Sequence, residues 1–168
     1  MDIELRTICF VRHAKSNWDD PMLEDINRPL SERGEHDAPA MATRLKEMNI
    51  IPDLIVTSPA KRARGTAKKF RKVFGLSKSE FITDLSLYDA TPDDVVAVVQ
   101  HLDSTKRSVF VFGHNPTFTF LANRFPGVRI DNVPTCGVLH VKTMVPTWDQ
   151  WNPEISTFIG FYYPKQYA

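Results

Sequence analysis

Thr7-Ile8-Cys9-Phe10-Val11 is a continuous apolar run that ends on the polar pair Arg12-His13. A run of that length, rich in β-branched and aromatic residues, suits a strand buried on both faces, as inside a parallel sheet. Leu54-Ile55-Val56-Thr57 and Ser108-Val109-Phe110-Val111-Phe112 repeat the pattern. Between these runs the period changes. Ala38, Met41, Leu45 and Met48 step by three, four and three, and Ala63, Ala67, Phe70 and Phe74 by four, three and four. Each set lays an apolar stripe along one face of a helix. Buried strands alternating with amphipathic helices imply an α/β fold: a doubly wound, mostly parallel sheet in a three-layer α/β/α arrangement.

The predicted helix starts follow from capping chemistry. Ser58-Pro59 places an N-cap residue before a proline at the first helical position. Thr91-Pro92-Asp93-Asp94 does the same with acidic residues in the first turn, and opens a helix from Asp93 to about Leu102. Pro39 leaves one boundary open: a helix from Ser31 must carry it in its interior, and a helix from Pro39 has an irregular first turn. Gly137–Lys142 and Ile155–Phe161 read as two strands completing the sheet, one of them antiparallel at an edge.

With 168 residues and no repeat or linker, the chain is expected to form a single domain, 1–168. A domain of this size hides roughly 70% of its unfolded surface, enough for a sizeable core. The composition, 42% hydrophobic and 24% charged, excludes disordered and low-complexity classes. Lys plus Arg number 21 and Asp plus Glu 20, a net charge of +1, so no nucleic-acid partner is expected. Cys9 and Cys136 lie in apolar stretches and read as reduced, buried thiols of a cytoplasmic protein. Met1 is followed by Asp2 and Glu4, without a basic segment and long apolar run, so a secretory signal is not expected. No stretch approaches the ~20 apolar residues that span a bilayer, and no membrane association is expected.

Three constellations fall where strands end: Val11-Arg12-His13-Ala14-Lys15-Ser16, Thr57-Ser58-Pro59-Ala60-Lys61-Arg62-Ala63, and Phe112-Gly113-His114-Asn115-Pro116. In open α/β sheets the ligand crevice lies outside the carboxyl ends of the strands. Two arginines, a lysine, a hydroxyl and a helix start are donors or positive ends suited to a phosphoryl group. The two histidines remain for nucleophile and charge stabiliser. No serine sits in a nucleophile elbow and no Gly-rich phosphate loop is present, so nucleoside-triphosphate chemistry is poorly supported. Each feature also has a plainer account: a structural histidine, the solvated face of a basic helix (the account preferred for Lys68, Lys69, Arg71 and Lys72), or a tight turn at Gly113–Pro116. His36, His101 and His140 show no convergent context. The coincidence of three constellations at strand ends of one small sheet favours the functional account.

Val11-Arg12-His13-Ala14 resembles the Arg-His-Gly/Ala signature of the histidine phosphatase superfamily, whose fold is termed phosphoglycerate-mutase-like. Ser58-Pro59-Ala60-Lys61-Arg62-Ala63 with Thr66-Ala67 is similar to its Ser-Pro-x-x-Arg-Ala-x-x-Thr-Ala segment, and Gly113-His114-Asn115-Pro116 to its second-histidine motif. Trp18, Asp25, Arg28-Pro29-Leu30-Ser31-Glu32-Arg33-Gly34, Leu87-Tyr88 and Pro134-Thr135-Cys136 resemble the short SixA-type phosphohistidine phosphatases. The likeness runs from about Thr7 to Val141.

The resemblance implies a hydrolase in which His13 attacks phosphorus and forms a phosphohistidine intermediate. Arg12, Arg62 and His114 would surround the phosphoryl oxygens, Ser16 and Lys15 would contact substrate, and Asn115 would orient His114 or line the pocket. No metal or cofactor is required by this scheme. The expected partner is a phosphorylated substrate, with a histidine-phosphorylated signalling protein as one candidate. Larger superfamily members carry a glutamate that protonates the leaving oxygen; here Asp84 and Asp89 are the nearest carboxylates and neither is a clear equivalent. A phosphoramidate needs such an acid less than an alkyl phosphate, because its nitrogen takes a proton from water. A phosphohistidine or small phosphomonoester phosphatase is therefore preferred. The rivals are a broad-specificity sugar or nucleotide phosphomonoesterase using Asp84 or Asp89, and a non-catalytic phosphate-binding module on the same fold.

Overall fold

Six strands form one sheet in the order β3-β2-β4-β1-β5-β6 in the computed structural model, which describes residues 4–168. Met1 and Asp2, on which the expectation about a secretory signal partly rests, lie outside the described residues. The strands are β1 (Glu4–Arg12), β2 (Leu54–Thr57), β3 (Phe81–Thr83), β4 (Ser108–Gly113), β5 (Val138–Val145) and β6 (Thr157–Tyr162). β3, β2, β4 and β1 are mutually parallel; β5 pairs antiparallel with β1 on one side and with β6 on the other. The sheet is thus mostly parallel, with its antiparallel pairings gathered at one edge.

The continuous apolar runs place side chains on both faces, as two-sided burial requires. Cys9, Val11, Ile55, Phe110, Phe112 and Val138 pack under α1 (Glu32–Glu47) and α2 (Lys61–Phe74), against Met41, Leu45, Ala67 and Phe70. The alternate residues Ile8, Phe10, Val56, Val109, Val111 and Leu139 face α3 (Pro92–Gln100) and α4 (Thr117–Ala122), with Val95, Val99, Phe118 and Leu121. Trp148 and Trp151 close that second layer and are fully buried. Among the described residues no helix is long and apolar enough to cross a membrane.

Two helix starts differ in character. Thr91 caps α3 through a reciprocal bond pair with Asp94, as the sequence predicts, although the helix ends at Gln100 rather than near Leu102. Ser58 does not cap α2. That helix begins at Lys61 behind Ala60, which offers no side-chain cap. The Ser58 hydroxyl instead accepts from the Ala60 N–H (3.2 Å) and meets His114 (2.8 Å), so site geometry takes the hydroxyl that capping would have used. The α1 boundary is resolved: Ser31 caps the helix through the Gly34 N–H, and Pro39 sits in its interior. Gly34 is required there, because a Cβ would collide with the Lys15 carbonyl and push the loop that follows β1.

His140 on β5 is 4% exposed, and neither ring nitrogen has a hydrogen-bond partner among the described residues. Burial lowers its pKa to about 4. A buried polar group without a partner costs about 1–3 kcal/mol, so His140→Leu is expected to raise the melting temperature by a few degrees. The pH dependence has a definite sign. Below pH ~6.5 the unfolded chain protonates this histidine, whereas the folded chain does so only near pH 4. Wild type therefore loses stability from this group as pH falls through that window, and the leucine variant is expected to lose less. Melting curves between pH 7 and 4 check both; an equal or steeper acid loss in the variant refutes the account.

Candidate active site

The parallel pairing of β1 with β4 sets Arg12 opposite Gly113, and β2 joins β4 with Thr57 opposite Phe112. Three chain segments therefore leave the sheet side by side, carrying His13, His114 and Ser58. The His13 and His114 ring centroids lie 5.3 Å apart. The nucleophile candidate is fixed at its backbone: His13 N–H donates to the Gly113 carbonyl and its carbonyl accepts from Cys136 N–H, both at 3.0 Å. Cys136 makes that contact from a positive φ of 58°. Gly113 must lack a side chain, since a Cβ there would meet the Phe118 ring at 2.7 Å.

Thr66 couples this loop to α2. Its hydroxyl accepts from Ala14 N–H at 2.9 Å and donates to the Arg62 carbonyl at 2.8 Å. The same helix turn delivers the Arg62 side chain. Thr66-Ala67 in the sequence motif thus has a structural reason: the hydroxyl sets the distance between the His13 loop and Arg62.

His13 is 7% exposed, and its Nδ1 lies 2.7 Å from the Ala14 carbonyl. A carbonyl only accepts, so Nδ1 carries the proton and Nε2 holds the lone pair in the neutral ring. Burial, with added repulsion from His114, Arg62 and Arg12, lowers the His13 pKa to about 3. His114 is lowered to about 4, again by burial first and then by Arg62. Both rings are neutral at pH 7. His114 Nε2 meets Ser58 Oγ, and its Nδ1 is buried without a partner.

The cleft around these rings, about 630 Å³, is lined by Arg12, His13, Lys15, Ser16, Arg28 and Arg62 together with Asp25 and Tyr88. A phosphoryl group fills a fraction of that space and leaves room for whatever it is attached to. Arg12 anchors one terminal nitrogen on the Val133 carbonyl (2.9 Å), and the Nε atoms of Arg12 and Arg62 are buried without partners. Burial and the neighbouring Arg62 lower the Arg12 pKa. Such crowding of two guanidiniums favours an anion between them.

Of the other residues singled out in the sequence, Ser16 is buried and accepts from Arg28 at 2.9 Å, while Lys15 stands exposed on the rim. Asn115 lines the cleft, but its amide is committed. It donates to Asn132 and Val133 and accepts from Thr119, tying α4 to the loop before β5. Asp84 is outside the cleft lining, with its carboxylate turned to Ser86 N–H at 2.8 Å. Asp89 lines it.

Two residues with direct contacts in the site were given no role from sequence. Asp25 accepts from Arg62 (2.9 Å), Tyr88 (2.5 Å) and Arg28 (3.2 Å), and its carbonyl accepts from Arg62 as well (2.7 Å). These donors, Tyr88 foremost, hold its carboxyl well below the usual carboxylate range. Arg28 is buried, bonds Ser16 and Asp25, and lies 3.3 Å from the centre of the Trp18 ring. Their presence in the Asp25 to Gly34 stretch was the available signal, but no spacing rule links them to Arg62.

The family model of the histidine phosphatase superfamily (branch 1) matches residues 8–88, the span holding the first two constellations. Just under half of the chain thus matches the histidine phosphatase superfamily. The chain is similar to an uncharacterized chloroplastic protein of Arabidopsis thaliana, 28% identical over 153 residues, covering 86% of this chain and 70% of that one. Among solved structures, the protein histidine phosphatase SixA complexed with tungstate has a TM-score of 0.81 at 23% identity, covering 96% of this chain and 99% of the other. The mycobacterial glucosyl-3-phosphoglycerate phosphatase has a TM-score of 0.58 at 17% identity, with 92% and 97% covered. At these identities the two structures establish the shared histidine phosphatase fold. The family match and the shared fold, together with the chemistry of the cleft, support phosphatase activity.

Proposed function

We propose that the protein hydrolyses phosphohistidine, or small phosphomonoesters, through a covalent phosphohistidine on His13. The observation that carries this reading is the commitment of His13 Nδ1–H to the Ala14 carbonyl, which leaves the lone pair of the neutral ring on Nε2 in a cleft that Arg12 and Arg62 also line. In the first step Nε2 bonds to phosphorus while the bond from phosphorus to the leaving nitrogen or oxygen breaks. Arg12, Arg62 and His114 hold the phosphoryl oxygens as charge redistributes. In the second, water attacks the phosphohistidine, the P–N bond to His13 breaks, and inorganic phosphate leaves.

The preference for a phosphoramidate rests on the carboxylates. Asp25 is held ionised, and Asp84 does not line the cleft but accepts from Ser86 N–H. A leaving imidazole takes its proton from water; an alkoxide needs a donor. Trp18 and Phe120 at the cleft are 69% and 59% exposed, apolar surface that favours a substrate carried on a protein. The second reading, a broad-specificity phosphomonoesterase, draws its support from Asp89, which does line the cleft.

A substrate panel separates them. Asp89→Asn is expected to stay within a few-fold of wild type on a phosphohistidine peptide, an alkyl phosphate and p-nitrophenyl phosphate. A loss of ~10²-fold on the alkyl phosphate alone would make Asp89 the general acid and favour the second reading. Failure to trap labelled phosphate on the wild-type protein would leave only a binding module.

A further inference from the structure

We infer that Asp25 selects the leaving group, favouring nitrogen bases that present an N–H or a positive charge and disfavouring substrates with a second anion. This rests on the proposed phosphatase reading and adds to it a residue that discriminates among phosphorylated compounds.

The argument begins with depth. His13 and Arg62 are 7% and 6% exposed and form the floor, whereas the Asp25 side chain is half exposed at the mouth. Phosphoryl transfer runs in line, so a nucleophile on the floor sends the departing group toward the mouth. That is where the Asp25 carboxylate stands. It is also held in place: Arg62, Arg28 and Tyr88 grip it, and Tyr88 packs edge-on against His114 with centroids 5.7 Å apart. Among the described residues one hydrogen bond, from Arg28, reaches Oδ1, so an acceptor position remains on that oxygen.

The charge pattern agrees. Four cations line the cleft, and three of them are spent on the floor or on Asp25 itself: Arg12, Arg62 and Arg28. Lys15 is the remaining cation of the lining. Two carboxylates, Asp25 and Asp89, share the Tyr88 side. A leaving group bearing a carboxylate or second phosphate meets like charge there. A phosphoimidazole that has taken a proton from water on its free nitrogen leaves phosphorus through the other as neutral imidazole, and offers that N–H to Oδ1. Discrimination by an unpaired or like-charged group in a partly desolvated cleft is stronger than discrimination by shape.

Asp25 also positions Arg62, so the test must separate the two effects. The measurement is kcat/KM on a phosphohistidine peptide, on 3-phosphoglycerate as a phosphomonoester with a second anion, and on p-nitrophenyl phosphate as a common reference. Disturbance of Arg62 lowers all three together. In Asp25→Asn the ratio of phosphohistidine to phosphoglycerate activity is expected to fall roughly tenfold. Asp25→Glu, which keeps the charge, is expected to hold the ratio within about threefold of wild type. An unchanged ratio in Asp25→Asn, with wild type active, overturns the inference and leaves the phosphatase reading standing. A wild type inactive on all three removes the phosphatase reading and this inference with it.

Discussion

On the proposed mechanism, replacing His13 by alanine is expected to abolish turnover and leave the fold intact. The expected loss is at least ~10⁴-fold, the scale seen when a covalent nucleophile is removed. The fold survives because the residue is held by its backbone: the bonds to Gly113 and Cys136 do not involve the ring, and the imidazole itself bonds only the neighbouring Ala14 carbonyl. Labelled phosphate trapped on wild type should be lost in acid and retained in alkali, as a P–N bond requires, and should be missing from the variant. The pH profile adds an independent check. With its pKa lowered to about 3, His13 keeps the Nε2 lone pair well below the 6.5 of an exposed histidine. Activity lost to nucleophile protonation is therefore expected only as pH falls toward 4, not near neutrality. The kcat/KM profile, corrected for ionisation of the substrate near pH 6, reports that free-enzyme value. Full residual activity in the alanine variant would mean that another residue attacks.

The parts legible in the sequence are those governed by short-range rules. Two-sided burial gave β1, β2 and β4 their apolar runs, and their polar ends marked the mouth of the sheet; the six-residue register of β1 with β4 then places His13 beside His114. Capping chemistry was legible at Thr91 and misleading at Ser58, because that hydroxyl meets the Ala60 N–H and the histidine beyond the neighbouring strand β4, while α2 begins only at Lys61. β3 spans only three residues, too few for an alternation to register. Asp25 lies 37 residues from Arg62 and 63 from Tyr88, so its contacts depend on the path of the loop after β1, which no local period encodes. His140 reads as one more polar residue in a strand; that its two nitrogens lack partners is a property of packing alone.

Arg62 is the second position at which a large effect is expected. Its guanidinium reaches the floor of the cleft, 6% exposed, with both terminal nitrogens on Asp25 and Nε buried without a partner. Arg62→Met keeps the length and the apolar stem while removing the charge. A single donor to a developing anion in a protected site is worth about 10²–10³-fold in rate, so kcat/KM on every phosphorylated substrate is expected to fall by that much. Arg62→Lys is not expected to rescue it, because one ammonium cannot serve the Asp25 carbonyl, the Asp25 carboxylate and a phosphoryl oxygen at once. Stability should change little by comparison: Asp25 keeps Arg28 and Tyr88 and is half open to water. Ligand binding separates a charge-binding role from a general loss of structure. At a hundredfold excess over its Kd, an oxyanion such as tungstate stabilises the protein by about 2.7 kcal/mol, a rise of roughly 5–10 °C in Tm for a chain of this size. Wild type and His13→Ala are both expected to show such a rise, since the arginines remain in each. In Arg62→Met most of it should vanish while the ligand-free Tm stays within a few degrees. A variant that loses activity yet keeps the full oxyanion-induced rise would place the phosphoryl group away from Arg62, and the cradle would then have to be redrawn around Arg12 and Arg28.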